Sequence, residues 1–146
     1  MRKIMDETHF DPQFLSVEIT ENVAMNNIEG TARAVEQFKA MGAQVSIDDF
    51  GAGHSSMNHL QRLPVDSLNI DRSFIMNIAG REKDGATAKA IIGLAHGLGL
   101  RVIAEGVETP TQVEFLTSQN CDELQGHHFS PPVPAEQMTQ FLSTHP

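Results

Sequence analysis

Two adjacent carboxylates, Asp48 and Asp49, close a short apolar run and are followed by Phe50, Gly51, Ala52 and Gly53. Neighbouring like charges repel unless something positive offsets them. A divalent cation is the usual remedy, and two cations can share a bridging carboxylate. Successive strand residues point to opposite faces, so both aspartates serve one site only where the backbone turns between them. An acidic turn with an Asx cap would use the same residues for no chemistry. Other polar residues weigh against that bland reading. Glu18 and Glu21, Asn69 and Asp71, Glu105 and Glu108, and Gln125 each fall at the end of a further strand-like run. In a parallel sheet all such ends are carboxyl ends and share one edge, where α/β barrels and open α/β sheets bind ligands. Carboxylates gathered there need cations or raised pKa values. Oxygen donors without cysteine suit magnesium, manganese or calcium better than zinc.

Those ends exist only if the intervening chain folds as strands and helices in turn. Strands are expected over residues 14–19, 43–48, 67–71, 101–104 and 122–125. Ile28, Ala32, Val35 and Phe38 recur at helical spacing, with Gly42 as C-cap. Short helices are expected over 55–63, stopped by Pro64, and over 73–79, before a polar loop at 81–85. Ala88, Ile91, Leu94, Ala95 and Leu98 form one apolar helix face, ended by Gly97 and Gly99. Thr109 as N-cap, Pro110 at the first position and Gln112 closing a capping box begin the next helix; a last one spans 135–142. Unbroken alternation means parallel strands with right-handed helical crossovers. No close internal repeat stands out beyond that βα rhythm.

Composition narrows the partners. The chain has 146 residues, 40% of them apolar and 20% charged, which suits one globular core. A net charge of −9 argues against nucleic-acid backbones and anionic membranes. No apolar run reaches transmembrane length, and Cys121 is the only cysteine, so a reducing, cytoplasmic setting is expected. Tyr and Trp are absent, leaving Phe, His or Arg for stacking. His54 and His59 lie five apart, wrong for one helix face. His96 reads as a helix-surface residue, Cys121 as a buried small hydrophobe, and Met5, Met25, Met41, Met57, Met76 and Met138 as core filler.

The series Glu-Ile-Thr-Glu (18–21), Ile-Asp-Asp-Phe-Gly-Ala-Gly (47–53), Leu-Asn-Ile-Asp-Arg-Ser-Phe (68–74), Val-Ile-Ala-Glu-Gly-Val-Glu-Thr (102–109) and Gln-Gly-x-x-Phe-Ser-x-Pro (125–132) resembles the EAL domain family. Its members are bacterial phosphodiesterases for the second messenger cyclic di-GMP. The likeness runs from Phe10 onward, in order and spacing. It implies a modified TIM barrel in which two cations, Mg2+ or Mn2+, activate a water that opens cyclic di-GMP to linear pGpG. By motif position the catalytic set would be Glu18, Asp48, Asp49, Glu105 and Gln125. Glu18 resembles a ligand of the first metal, Asp48 the bridging ligand, Asp49 a ligand of the second, and Glu105 a further metal-side carboxylate. Glu21 resembles the residue that holds the loop after the Asp48-Asp49 strand. Asp71 and Gln125 resemble supporting and water-positioning groups, Asn69 and Glu108 belong to the same supporting set, and Arg72 could reach a substrate phosphate or simply form an ion pair.

Two departures qualify the resemblance. A whole (β/α)₈ barrel takes roughly 250 residues, and this sequence holds about five of the eight units. The expectation is therefore a partial TIM-like barrel, with residues 1–9 a residual helix tail and 10–146 a truncated domain. No Glu-Ala-Leu segment occurs in the sequence, nor the following strand with a metal-binding Asn. In addition, Asn69 stands where the family carries a Lys that steadies charge and orients water. An amide donates a hydrogen bond but brings no positive charge, and losing one preorganised donor costs on the order of 10²–10³ in rate. These departures predict either a phosphodiesterase-like domain inactive as the isolated chain, or a degenerate module that binds cyclic di-GMP or a protein partner. Two open sheet edges would favour a homo-oligomer, a missing N-terminal region or a partner domain. An enolase-type reaction would need a Lys or His base at a strand end, and none is placed there.

Overall fold

The computed structural model describes residues 2–52, 57–78 and 85–144. The expected helix start at 55–56, the loop at 81–84 and His54 lie outside them. Five parallel strands pair in chain order: β1 (Ser16–Thr20), β2 (Gln44–Phe50), β3 (Ser67–Ile70), β4 (Arg101–Glu105) and β5 (Glu123–Gln125). The helices are α1 (Arg2–Thr8), α2 (Glu21–Asn26), α3 (Ile28–Ala40), α4 (Met57–Leu60), α5 (Arg72–Met76), α6 (Gly85–Gly97), α7 (Pro110–Ser118) and α8 (Ala135–Thr144). Repeating βα units thus build a partial (βα) barrel, and among the described residues β1 and β5 each lack a second neighbour in the sheet.

The two sheet faces differ in chemistry. Val45, Ile47, Leu68, Ile70, Val102 and Ala104 are buried in the core cluster, together with Val35, Ala88, Ile91 and Leu116 of the helices. The alternate residues are mostly polar: Glu18, Ser46, Asn69 and Gln125 sit there, with Ile103 the apolar exception, and Arg101 Nη atoms donate to Glu123 Oε1 of β5 and Gln44 Oε1 of β2, both at 2.6 Å. A cavity of about 510 Å³ opens over this polar face, with Met138 and Phe141 of α8 on its far side. Buried parallel strands usually read as continuous apolar runs. Here the alternation leaves one face for the core and the other lining the cavity.

The amino ends of the strands are fastened twice by the same device. Asp66, just before β3, accepts from the Val45 N–H (2.9 Å) and pairs with Lys39 of α3 (2.7 Å). Asp122, just before β5, accepts from the Val102 N–H (2.8 Å) and contacts His96 of α6 (2.9 Å). The local sequences, Val65-Asp66-Ser67-Leu68-Asn69 and Cys121-Asp122-Glu123-Leu124-Gln125, have in common the Asp before the strand and a core-facing Leu two residues later. For Asp122, partial burial works to raise the pKa, but hydrogen bonds from His96 and the Val102 N–H, with the His96 and Arg101 charges, leave it below the usual carboxylate range. A depressed folded-state pKa stabilises above the unfolded value and is lost as pH falls through the folded one. Asp122→Ala is expected to cost about 1–2 kcal/mol at neutral pH, with the deficit shrinking in urea melts below pH 4, near the unfolded aspartate value of about 3.9.

The helix signals were sound in kind. Thr109 Oγ1 accepts from the Gln112 N–H and Gln112 Oε1 accepts from Thr109 N–H, completing the capping box. Gly42 and Gly99 take positive φ at their helix ends. Three methionines need correction: Met57, Met76 and Met138 are 48%, 55% and 38% exposed, on short or loosely covered helices rather than in the core. Cys121 is half-buried, and burial pushes its thiol up to about 11. Helix α2 has no signature in the sequence, because its six residues are too few to show a period.

Candidate active site

The turn that Asp48 and Asp49 require is built into β2. Ile47 pairs with Leu68 and Phe50 with Ile70, so β2 contains one residue more than β3 over the same stretch. Asp49 takes the left-handed conformation, φ 55°, within this bulge. Aspartate tolerates that region better than most residues, and a bulge re-aims side chains that a flat strand would send to opposite faces. The Asp49 N–H donates to Asp48 Oδ1 at 2.8 Å, closing the turn on itself.

Across the same edge, Asn69 ties two strands together. Its Nδ2 donates to Glu105 Oε1 at 2.7 Å and to Glu18 Oε1 at 3.2 Å. Asn69 is 1% exposed, and its Oδ1 is buried with no hydrogen-bond partner. Ser46 Oγ, on the neighbouring strand, is likewise buried and unpartnered.

Charge links these groups. Burial raises the Glu105 pKa most, followed by the charges of Asp48 and Glu18; the Asn69 hydrogen bond opposes them, and the Asp49 charge adds to the rise. Asp49 is raised chiefly by Asp48, then by burial, then by Asp71 through its charge and a hydrogen bond. Asp48 thus stands within electrostatic reach of both Asp49 and Glu105. Among the described residues no three His, Cys, Asp or Glu side chains stand close enough to hold one cation.

The supporting residues fall around this edge. Glu21, buried at the start of α2, accepts from the Gly51 N–H at 2.7 Å and so tethers the segment after β2. Gly51 has φ 99° and packs so close to Phe74 that a Cβ there would lie 2.8 Å from the ring. Asp71 caps α5, accepting from the Ser73 N–H at 2.9 Å and from the Ser73 hydroxyl. Arg72 pairs with Glu108, and its stem lies over Gly106. A cleft of about 400 Å³ is lined by Arg72, Glu105, Glu108, Gln125, His127 and Pro131. Glu105 and Gln125 are paired in register at its floor.

Three contributors have roles that their local sequence does not show. Gln112 reads from the sequence as a cap, yet its Nε2 also reaches the Ile75 carbonyl at 3.1 Å, tying α7 to α5. Gly126 lets the β5 end approach the Val107 backbone. Ser46 sits mid-strand; its small polar type on an otherwise apolar run was the one available clue.

The model of the EAL domain family matches residues 1–132. This chain belongs to the EAL domain family. Among relatives, the cyclic di-GMP phosphodiesterase NbdA of Pseudomonas aeruginosa is 44% identical over 142 residues, covering 97% of this chain and 18% of NbdA. The MucR phosphodiesterase of the same bacterium, solved in complex with cyclic di-GMP, superposes with a TM-score of 0.89 at 44% identity, over 94% of this chain and 56% of that one. BlrP1 of Klebsiella pneumoniae, solved with cyclic di-GMP and manganese, gives a TM-score of 0.79 at 28% identity, over 90% and 34%. The chain therefore spans about a fifth of that curated relative and little more than half of the MucR structure. Among the described residues, no helix of this EAL domain is long and apolar enough to cross a membrane.

Proposed function

We propose that this EAL domain presents a divalent-cation site for the phosphodiester of cyclic di-GMP, and that the chain on its own binds this ligand without hydrolysing it. The observation that carries the reading is the β2 bulge, which brings Asp48 and Asp49 to the edge where Glu18, Asn69 and Glu105 already meet. The chemistry of the donors suits the group, although among the described residues no three of the carboxylates converge on one point as they lie: hard oxygens with raised pKa values at Asp49 and Glu105, and a buried amide oxygen left without a partner. Glu18, Asp48, Asp49 and Glu105 would hold Mg2+ or Mn2+. Bound there, such a cation lowers the pKa of a water and steadies the attacking and leaving oxygens.

The chain's own side chains prepare the rest. Glu21 fixes the segment after β2, Asp71 orients α5, and Gln125 sits beside Glu105 where it could position a water. Arg72, held by Glu108 at the cleft wall, could lend its guanidinium to a phosphate. Asn69 supplies no positive charge at the third strand end, which supports binding over turnover. The edges of β1 and β5, unpaired among the described residues, favour self-association or pairing with further strands.

Calorimetric titration of the full chain with cyclic di-GMP tests the reading. Heat is expected with calcium and none with chelator, while the same protein with Mn2+ releases no pGpG. Absence of calcium-dependent binding would overturn the site; hydrolysis above background would overturn the binding-only conclusion. Sedimentation of the same sample is expected to show species larger than one chain, and a clean monomer would remove the self-association.

A further inference from the structure

Asn69 does more than fill a gap between two acids, and the inference drawn from it rests on the cation site proposed above. Its amide nitrogen contacts Glu105 Oε1 and Glu18 Oε1 together, so the three side-chain ends surround one small volume. Its oxygen points away, buried and with no hydrogen-bond partner. An unsatisfied buried acceptor is costly, and native structures leave few of them. The two ends of a carboxamide are nearly isosteric, and a half turn about the last side-chain torsion exchanges them. Without a cation the arrangement seen is the favourable one: an N–H pair faces two carboxylates. With a divalent cation between Glu18 and Glu105 the preference reverses, because a donor would face the metal while a hard oxygen donor lay unused behind it. Amide oxygens are ordinary ligands for calcium, magnesium and manganese.

We propose that Asn69 is itself a ligand: when a divalent cation enters between Glu18 and Glu105, the amide turns over and Oδ1 joins their carboxylates in its coordination shell. The site then has three oxygen donors from β1, β3 and β4 and lower negative charge than a carboxylate at the same place would give. The residue that replaces a strand-end cation in this chain thereby becomes a metal-binding group.

The test uses Mn2+ and Mg2+ alone, without nucleotide. Mn2+ affinity of the full chain is read by the loss of the free-ion paramagnetic resonance signal. Asn69→Leu is expected to weaken Mn2+ binding by about 10–100-fold, the range found when a metal site loses a supporting group, with far-UV circular dichroism unchanged. Asn69→Asp, which keeps an oxygen, is expected to bind at least as tightly as the parent. In protein labelled with 13C-asparagine, Mg2+ is expected to move the Asn69 Cγ resonance, assigned by its absence in Asn69→Leu, while Asn77 and Asn120 stay fixed. Mn2+ binding that survives Asn69→Leu unchanged, or an unmoved Cγ resonance at saturating Mg2+, overturns the ligand role. Glu18→Gln separates the two readings: if it abolishes Mn2+ binding while Asn69→Leu does not, the cation site stands and Asn69 is no ligand. If the parent binds no Mn2+, both fall. Should Asn69→Leu fail to fold, the Cγ resonance of the parent, assigned then from Asn69→Asp, decides alone.

Discussion

Gly126→Ala is expected to destabilise the folded chain by about 3 kcal/mol, at the upper end of the cost of overpacking. A Cβ at Gly126 would lie 2.1 Å from the Val107 carbonyl oxygen, 2.3 Å from its nitrogen and 2.7 Å from its carbonyl carbon. All three are backbone atoms, so no flexible side chain can yield. The contact cannot loosen cheaply, because the same backbone is hydrogen-bonded on both sides: the Val107 N–H donates to the Gln125 carbonyl at 3.0 Å, and the His128 N–H donates to the Val107 carbonyl at 3.0 Å. Moving the β5 end away would break both bonds and separate Gln125 from Glu105, its register partner. A urea melt reads the loss directly, and cyclic di-GMP binding with calcium should weaken in parallel. A variant within 0.5 kcal/mol of the parent, the usual spread of harmless surface changes, would mean that the two strand ends are not so tightly joined. Gly97 is the control: nothing lies within 4 Å of a Cβ there, so Gly97→Ala should be tolerated.

The contrast between these glycines shows what a sequence can and cannot carry. Alternating apolar runs, cap residues and the order of strand and helix are local signals, and they located all five strands and the capping box at Thr109–Gln112. The acidic strand ends were legible because parallel strands put their carboxyl ends on one edge by topology alone. Close approach is a property of pairs distant in sequence. Gly126 meets Val107, and Gln112 meets Ile75, only after the sheet has formed, and the motifs that contain them, the 125–132 series and the capping box, say nothing of these contacts. Strand limits shifted for a related reason. The apolar run stops at Ile47, but β2 continues through the bulge to Phe50 because its ladder partners in β3 extend that far. The polar residue that couples the acids, Asn69, was visible as a substitution. Its two hydrogen bonds, to Glu18 and to Glu105, and its orphaned oxygen were not.

Asp48→Asn is expected to invert the order of stability between parent and variant when a cation is added. Asp48 is the largest cause of the raised Asp49 pKa and, after burial, the next for Glu105. Removing its charge relieves both without losing the acceptor for the Asp49 N–H, since an amide oxygen remains at that place. Without metal the variant should therefore be the more stable by about 0.5–1 kcal/mol, the scale of exposed charge pairs. That gap has a pH signature. Carboxylates whose folded pKa values are raised contribute most below their unfolded values and lose that contribution as pH rises through the folded ones. Parent and variant should accordingly converge near pH 4, around the unfolded values of about 3.9 and 4.3, and diverge toward neutrality. With Mn2+ the balance reverses. A parent saturated at 100 times its dissociation constant gains about 2.7 kcal/mol. The variant, having lost the carboxylate between the other acids, should bind Mn2+ more than about 100-fold more weakly, beyond the cost of losing an orienting partner alone, and gain almost nothing. Thermal melts of both proteins with and without Mn2+ at pH 7 read the crossing in four curves. Parallel stabilisation of parent and variant by Mn2+ would place the cation elsewhere, because a site centred on these acids cannot lose its middle charge without consequence.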